Sequence, residues 1–301
     1  MKNLFSVCGL AVFILMSCQK EYLPEPVYHD PADSIYIDKI YFASKANAGA
    51  EADTNTIISY SYDNRKRVSQ ISSGSNWTTF YFYNGTDTLP YKKTKISYDQ
   101  GVSNPLTNDT SMVFYWYGAA NANVKDSTWQ SVGNAVPGGT YTRNIYAYIK
   151  TYRYVADSIY ILNIRNLLYS SLPEPTTPVV TEDSIKINSN GNPLYYKSYQ
   201  LPNGIPRPYR QIVYTYDDKV NPLSKLSNFK TLALGSTDID EDVQSVNNWI
   251  TRRVRILPGT YDLMENFTGN FIYNSINLPV KLEYRTPTGT YNLKIFTYKS
   301  L

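Results

Sequence analysis

A short aromatic motif, Tyr-x-Tyr or a close variant followed by Asp, Asn or Gly, recurs along most of this chain of 301 residues. The copies are Tyr60-Ser61-Tyr62-Asp63, Tyr81-Phe82-Tyr83-Asn84, Tyr115-Trp116-Tyr117-Gly118 and Tyr214-Thr215-Tyr216-Asp217, with looser versions at Ile96-Ser97-Tyr98-Asp99 and Phe296-Thr297-Tyr298. A period of two residues is typical of a β-strand, and Asp, Asn and Gly are typical of turns. The motif therefore predicts strands that end in turns.

A second motif, Asp followed by Ser or Thr, stands where the next strand would begin. Its copies are Asp33-Ser34-Ile35, Asp87-Thr88-Leu89, Asp126-Ser127-Thr128, Asp157-Ser158-Ile159 and Asp183-Ser184-Ile185. Short polar links join the two motifs, and one of them contains Asn84-Gly85, a pair that supplies the positive φ of a tight hairpin. The chain has 30 Tyr and 10 Phe, which favours strands with one wet face because Tyr joins an apolar ring to a polar tip.

The sequence thus predicts an all-β protein, a large antiparallel meander of hairpins forming a curved or open sheet, with a half-barrel as one form of it. The clearest hairpin joins Val280–Arg285 to Tyr291–Ile295 through a turn at residues 286–290. Met112–Tyr117 is apolar or aromatic on both faces. We expect that strand to be covered on both sides or to sit centrally in the sheet.

Two segments interrupt the strand pattern. Ser236–Arg253 begins with acidic residues, has apolar residues at helical spacing and ends in two arginines, which predicts a short helix near 238–253. Prolines at positions 173, 175 and 178 indicate either a domain boundary at 172–179 or a long loop. Because the strand motifs continue on both sides, we interpret residues 34–301 as one elongated β-rich domain.

Residues 1–17 have the form of a bacterial lipoprotein signal peptide. Their apolar stretch ends in Leu15-Met16-Ser17-Cys18 and is shorter than the roughly 20 residues of a permanent membrane helix. Cys18 would become the acylated first residue of the mature chain, followed by a proline-broken tether that completes residues 18–33. The prediction is a lipid-anchored outer-membrane protein, on the periplasmic or cell-surface face, and Gln19 after the cysteine favours that membrane.

The residue inventory removes most catalytic chemistry from the body of the protein. Cys8 lies in the predicted leader and Cys18 would be acylated, so we expect the mature chain to have no free thiol. The one histidine, His29, lies in the tether, so the body has no histidine for a catalytic triad, general base or zinc site. Acidic residues at 238–242 fit a helix N-terminus better than a calcium loop. We therefore predict no cofactor, no metal and no enzymatic activity.

The charge distribution and the acidic pairs also argue against a nucleic-acid-binding protein and against a hydrolase. The 29 Lys+Arg and 25 Asp+Glu residues are spread along the chain without dense basic runs, so nucleic acid is not an expected partner. A hydrolase that uses acidic pairs such as Glu182-Asp183 or Asp217-Asp218 is the least favoured alternative. Turn chemistry accounts for both pairs more simply.

The segment from Tyr60 to Val68, Tyr-x-Tyr-Asp followed by a turn and a strand, resembles the YD repeats of Rhs-type proteins. It resembles more closely a group of uncharacterised lipoproteins of the Bacteroidota, in which a Tyr-x-Tyr-Asp-x-x-x-Asn-Pro stretch and a later Asn-Asn pair recur. Tyr214–Pro222 and Asn247-Asn248 look like those two elements. The resemblance covers roughly residues 57–301 and implies a β-rich outer-membrane lipoprotein, with no catalytic residues.

Trp77 and Trp129 are the candidate ligand-binding residues, because each lies among polar residues. Tryptophan rings beside Asn- and Asp-rich loops suit a sugar, whose faces stack on aromatic rings and whose edges hydrogen-bond; ordinary packing in a core or on a sheet is the alternative. The expected function is a non-enzymatic binding or scaffold protein with polysaccharide or an envelope protein as partner. The alternative function is a carrier of lipid or another apolar ligand in a half-barrel.

Overall fold

The computed structural model describes residues 35–45, 53–74, 76–98, 109–119, 122–136, 140–170, 178–200, 207–225, 245–256, 263–285 and 291–301. These residues form sixteen strands and one short 3-10 turn at Pro222–Lys225. The strands are β1 Ile35–Lys45, β2 Asp53–Tyr62, β3 Val68–Ser73, β4 Trp77–Phe82, β5 Lys92–Ser97, β6 Asp109–Tyr117, β7 Asn123–Val136, β8 Thr140–Val155, β9 Ser158–Ser170, β10 Val179–Ile187, β11 Pro193–Gln200, β12 Arg207–Val220, β13 Asn247–Ile256, β14 Leu263–Tyr273, β15 Pro279–Arg285 and β16 Tyr291–Ser300. No helix in these residues is long and apolar enough to cross a membrane.

Each strand pairs antiparallel with the next one, and β1 pairs with β16 to close a barrel. The closing pair runs from Ile35 opposite Ser300 to Lys45 opposite Tyr291. The predicted all-β meander is confirmed, including the hairpin that β15 and β16 form. The expected open sheet or half-barrel is wrong, since closure gives both edge strands a partner and leaves no exposed edge.

The predicted helix near 238–253 is also wrong where the structure describes it. Asn247–Ile256 is strand β13, which pairs with β12 and β14; residues 226–244 lie outside the described residues. The spacing of apolar residues predicted a helix, but the side chains alternate between the two faces of a strand: Trp249 and Val254 are buried, whereas Ile250 is exposed. A bulge in β13 at Ile250, opposite Thr215 and Tyr216 of β12, shifts the register between Trp249 and Thr251. The proline-rich segment 172–179 lies between β9 and β10, which pair with each other.

The connections that follow even-numbered strands gather at one end of the barrel, the turn end. Three of these turns have the same construction: Asp63, Asn188 and Asn274 each accept hydrogen bonds from the backbone N–H groups two and four residues later. The residue three positions after each of them has positive φ, at Lys66, Gly191 and Asn277. The Asp of the Tyr-x-Tyr-Asp motif is therefore the first residue of a five-residue Asx turn.

The Tyr-x-Tyr motifs fill the barrel next to these turns. The first aromatic residue is buried in the copies that begin at Tyr60, Tyr81, Tyr115, Tyr214 and Phe296, and so is Tyr152 of the similar segment Tyr152-Arg153-Tyr154; the looser copy at Ile96-Ser97-Tyr98 differs, since Tyr98 is exposed. The second tyrosine donates its hydroxyl to a backbone carbonyl near the start of the preceding strand, as Tyr62 to Ile37, Tyr83 to Val68, Tyr117 to Pro90, Tyr216 to Pro193 and Tyr298 to Pro279. The lumen at the turn end is thus packed with side chains.

The connection between β12 and β13 adds to this closure. Its 3-10 turn contacts β1, which is not a neighbour of β12 in the sheet. Leu223 of that turn is buried in the main apolar cluster together with Ile37, Ile212 and Trp249. The turn end is therefore closed by protein. Open space in the barrel lies beyond the aromatic layer, the name used here for the inward-facing Tyr-x-Tyr residues at this end.

Candidate binding site in the barrel lumen

A polar cavity of about 290 Å³ lies inside the barrel against β5 to β9. Apart from Thr110, its lining residues alternate along each strand, as inward-facing residues of a barrel do. They are mostly polar: Lys93, Lys95, Ser97, Asp109, Ser111, Asp126, Thr128, Gln130, Tyr148, Lys150 and Asn163, with Val113 and Tyr115. Tyr115 belongs to the aromatic layer, so that layer forms one boundary of the cavity.

Charged side chains are concentrated in this cavity. Lys93 and Asp126 are buried, at 3% and 4% exposure, and Lys95, Lys150 and Asp109 also line the space. Burial raises the pKa of Asp126, although Lys150, the hydroxyl of Tyr152 and Lys93 all act to lower it. Three lysines facing two aspartates give the cavity a positive balance, which is larger when Asp126 is protonated.

Two acceptors in the cavity have no hydrogen-bond donor among the described residues. Tyr152 donates its hydroxyl to Oδ2 of Asp126, but Oδ1 of Asp126 is buried and accepts nothing. Oδ1 of Asn163 is in the same condition, while its Nδ2 donates to Thr181 over 3.4 Å. Both oxygens are buried in the barrel wall, so the open part of the lumen does not reach them in this arrangement of the side chains.

A second cavity of about 390 Å³ lies at the end of the barrel opposite the turn end. Three aromatic rings line it, those of Phe42, Trp77 and Tyr284, together with Thr56 and Asn292. Nζ of Lys95 lies 5.2 Å from the centroid of the Trp77 ring. Because Lys95 lines the polar cavity and Trp77 lines the aromatic one, the two spaces adjoin.

The structure separates the two tryptophans that the sequence groups together. Trp77 lines the lumen. On β7, Asp126, Thr128 and Gln130 also face the lumen, and Trp129, which alternates with them, is 47% exposed on the outer face of the wall. They do not belong to one site. Cys18 lies outside the described residues.

The residues that carry the resemblance to the Bacteroidota group form a hydrogen-bonded network at the turn end. Asp217 accepts from the backbone N–H of Asn248, from Nδ2 of Asn248 and from the hydroxyl of Tyr273. Asn221 donates to the backbone oxygen of Ser245 and accepts from the N–H of Leu223. These contacts hold the long β12–β13 connection, so their role is structural.

Among the described residues, the two carboxylates whose pKa is raised by burial do not form a close pair. Burial raises the pKa of Asp183 as well as that of Asp126. However, Asp126 is on β7 and Asp183 on β10, three strands apart, which corresponds to about 14 Å of sheet. Asp183 is held by Ser198 and Tyr196 and is not part of the cavity lining. In the described residues no group of three His, Cys, Asp or Glu side chains could hold a metal ion.

The cavity residues were not identified from the sequence. Lys92-Lys93-Thr94-Lys95 has the composition of an exposed strand, and no local signal shows that Lys93 and Lys95 face inward. For Trp77, however, the Tyr-x-Tyr motif on the same strand indicates the direction of the side chain. Tyr81 faces the core, and Trp77 lies four residues before it on β4. Residues an even number apart on a regular strand share a face.

The fold defines a closed, sixteen-stranded antiparallel β-barrel with a side-chain-filled turn end and a polar lumen. No family model matches the chain, and no curated protein matches it significantly. Among solved structures it is similar to a porin-like protein from Bacteroides vulgatus ATCC 8482, with a TM-score of 0.52 and 14% identity over 89% of this chain and 100% of that one. A porin-like protein from Bacteroides uniformis ATCC 8492 gives a TM-score of 0.41 and 10% identity over 87% and 98% of the two chains. The first likeness supports the barrel fold, and neither carries a function to this chain.

Proposed function

We propose that this protein is a non-enzymatic binding protein of the bacterial cell envelope, anchored to the outer membrane through acylated Cys18, and that it binds a small acidic carbohydrate inside its barrel. The observation that carries the proposal is the polar cavity beyond the aromatic layer, with Lys93, Lys95 and Lys150 on its walls. A cavity of this size accommodates a small ligand rather than a polymer.

The chemistry of the lining fits a sugar acid. Lysine ammonium groups donate to a carboxylate or to hydroxyl oxygens. Thr128 and Gln130, which also line the cavity, offer hydroxyl and amide groups that hydrogen-bond to sugar hydroxyls. The Trp77 ring, beside Lys95, offers a face on which a sugar ring stacks.

An apolar ligand is less compatible with this lumen. The half-barrel on which that alternative rested is closed, and the cavity against β5 to β9 is lined mainly by polar side chains. Burying lysine and aspartate against a lipid chain would leave their charges unpaired, which is costly.

Isothermal titration calorimetry with uronic-acid disaccharides and matched neutral disaccharides tests the ligand class. Lys95→Met removes one charge-assisted hydrogen bond, worth about 1.5–3 kcal/mol, so the affinity should fall by about 10- to 100-fold. Lys281→Met is the matched control, because Lys281 pairs with Glu283 on the outer face of β15. Equal binding of acidic and neutral disaccharides would refute the preference for an acidic sugar. Binding of neither would refute the carbohydrate proposal.

The two tryptophans provide a second control. Trp77→Ala should weaken binding, whereas Trp129→Ala should leave it unchanged, because Trp129 lies on the other side of the wall. The anchor is tested separately: Cys18→Ala should abolish acylation in the intact mass spectrum, and a chain that still carries the lipid mass would contradict that assignment.

A further inference from the structure

The outer surface of the barrel is divided into two sectors of different chemistry. We define the apolar sector as the outward-facing residues of β4 to β9, which alternate with the lumen residues. Its apolar and aromatic members are Phe80, Phe82, Ile96, Met112, Phe114, Trp116, Trp129, Ile145, Ala147, Ile149, Tyr160, Leu162 and Ile164. Trp116, Trp129 and Met112 are 46%, 47% and 40% exposed. The expectation that Met112–Tyr117 is covered on both sides is therefore wrong, since Val113 and Tyr115 are buried while Met112 and Trp116 are exposed.

The remaining wall, β10 to β16 with β1 to β3, carries charge on the same outward rows. Glu182 lies on β10 and Lys197 on the neighbouring strand β11. Lys281 and Glu283 form an ion pair on β15. A membrane-spanning barrel needs an apolar band all round and strands of about 9–11 residues, whereas β3, β4 and β5 have 6 residues each. The apolar sector is consequently one-sided and does not form a spanning belt.

The charged side chains that the structure describes on the outward rows of the apolar sector are the cations Lys92, Lys125 and Arg153, and all three lie near the turn end. Nζ of Lys92 lies 4.9 Å from the Phe82 ring, Nζ of Lys125 lies 5.2 Å from the Trp116 ring, and the Arg153 guanidinium carbon lies 4.5 Å from the Tyr160 ring. Each pair joins neighbouring strands. Aromatic rings beside Lys and Arg at one edge of an apolar surface are the arrangement found at the boundary of a lipid bilayer.

We infer that the apolar sector lies against the surface of a lipid bilayer, with Lys92, Lys125 and Arg153 engaging anionic headgroups. Charge favours this occupant over a second copy of the chain, because the described side chains on the outward rows of this sector include no carboxylate that a second copy could present to the cations. The start of β1 at Ile35 is also at the turn end, so the chain enters the barrel at the end that carries the cations. The inference does not depend on a ligand in the lumen.

The four tryptophans make the contact measurable. Trp116 and Trp129 are exposed on the apolar sector, whereas Trp77 lines the lumen and Trp249 is buried in the core. The mature full-length protein is bound to vesicles of phosphatidylcholine and phosphatidylglycerol whose acyl chains carry bromine, which quenches nearby tryptophan fluorescence. Tryptophan emission is compared with that on vesicles of the same lipids without bromine. We expect strong quenching in the wild type and little in the Trp116→Tyr/Trp129→Tyr variant.

A reporter on the opposite wall is the matched control. Tyr195→Trp, in the Trp116→Tyr/Trp129→Tyr background, places a tryptophan on the outward row of β11, in the remaining wall outside the apolar sector, and should restore no quenching. Replacing Lys92, Lys125 and Arg153 together by Gln should reduce quenching of the otherwise wild-type protein by about twofold or more on anionic vesicles, because their attraction to the surface is lost.

Three results would overturn the inference. Equal quenching of the Trp116/Trp129 pair and of the Tyr195→Trp reporter would mean that the barrel is tethered without a preferred face. No quenching, with dimers trapped by a cross-linker, would assign the sector to a second copy. No quenching with a monomeric protein would mean that the sector faces water.

Discussion

The five tyrosine-to-carbonyl hydrogen bonds at the turn end should make a measurable contribution to stability. The distances are 2.8 Å for Tyr62, 2.7 Å for Tyr83, 2.8 Å for Tyr117, 2.7 Å for Tyr216 and 2.6 Å for Tyr298. Each Tyr→Phe change keeps the ring and removes the hydroxyl, at a net cost of about 1 kcal/mol. The accepting carbonyls lie on separate hairpins, so the costs should nearly add, to about 5 kcal/mol for all five. That is a large share of the roughly 5–15 kcal/mol by which folded proteins are stable.

Equilibrium urea unfolding, followed by far-ultraviolet circular dichroism and checked for reversibility, measures this cost. Tyr298→Phe alone should lower the midpoint with an unchanged slope, and it should lower the melting temperature by about 2 °C. Tyr195→Phe is the control, because Tyr195 lies on the outward face of β11 opposite Val213. If the fivefold variant loses no more stability than Tyr195→Phe, the hydroxyls do not hold the strands together and the account of the motif is refuted.

Further predictions concern the core and the buried carboxylate. Leu223→Ala should lower the free energy of unfolding by about 2–5 kcal/mol, since Leu223 is 4% exposed, and chemical denaturation will show whether it does. Gly269→Ala should destabilise by about 1–3 kcal/mol, because its Cβ would stand 2.9 Å from Leu282 and 3.3 Å from Trp249; thermal unfolding at the wild-type level would contradict this. Burial raises the folded-state pKa of Asp126, so stability is greatest with the carboxyl protonated and falls as pH rises from about 4 through the raised pKa. Asp126→Asn should remove that part of the fall, and unchanged pH dependence of unfolding would refute the assignment.

Local chemistry accounts for the parts of the fold that the sequence predicted. The turn at Asp63 depends on a carboxylate that accepts from two nearby N–H groups and on Lys66 in a left-handed conformation, and all of these residues lie within one short segment. Partial burial acts to raise the pKa of Asp63, but hydrogen bonds from Arg67 and Arg65 hold it below its usual value. Interactions within a few residues leave a recognisable pattern in the sequence, as the Tyr-x-Tyr-Asp motif does.

Closure left no such pattern, because it joins residues that are far apart in the chain. Ile40 pairs with Phe296, and nothing within either strand indicates that they meet. The same applies to β13: the apolar spacing around Val246 and Ile250 is compatible with a helix in isolation. Hydrogen bonding to β12 and β14 supplies the energy that selects the strand.

The inward or outward direction of each side chain is the link between motif and site. Both tyrosines of Tyr-x-Tyr face the lumen, so the residue between them faces outward, which assigns Trp116 to the outer surface from the sequence of β6 alone. The same rule assigns Trp77 to the lumen through Tyr81. Trp129 has no such motif on β7, and its direction follows only from its pairing opposite Met112. The aromatic motif therefore shows from the sequence which side chains face the lumen on the strands that carry it. On the other strands, the inward or outward direction of a side chain follows only from the register with neighbouring strands.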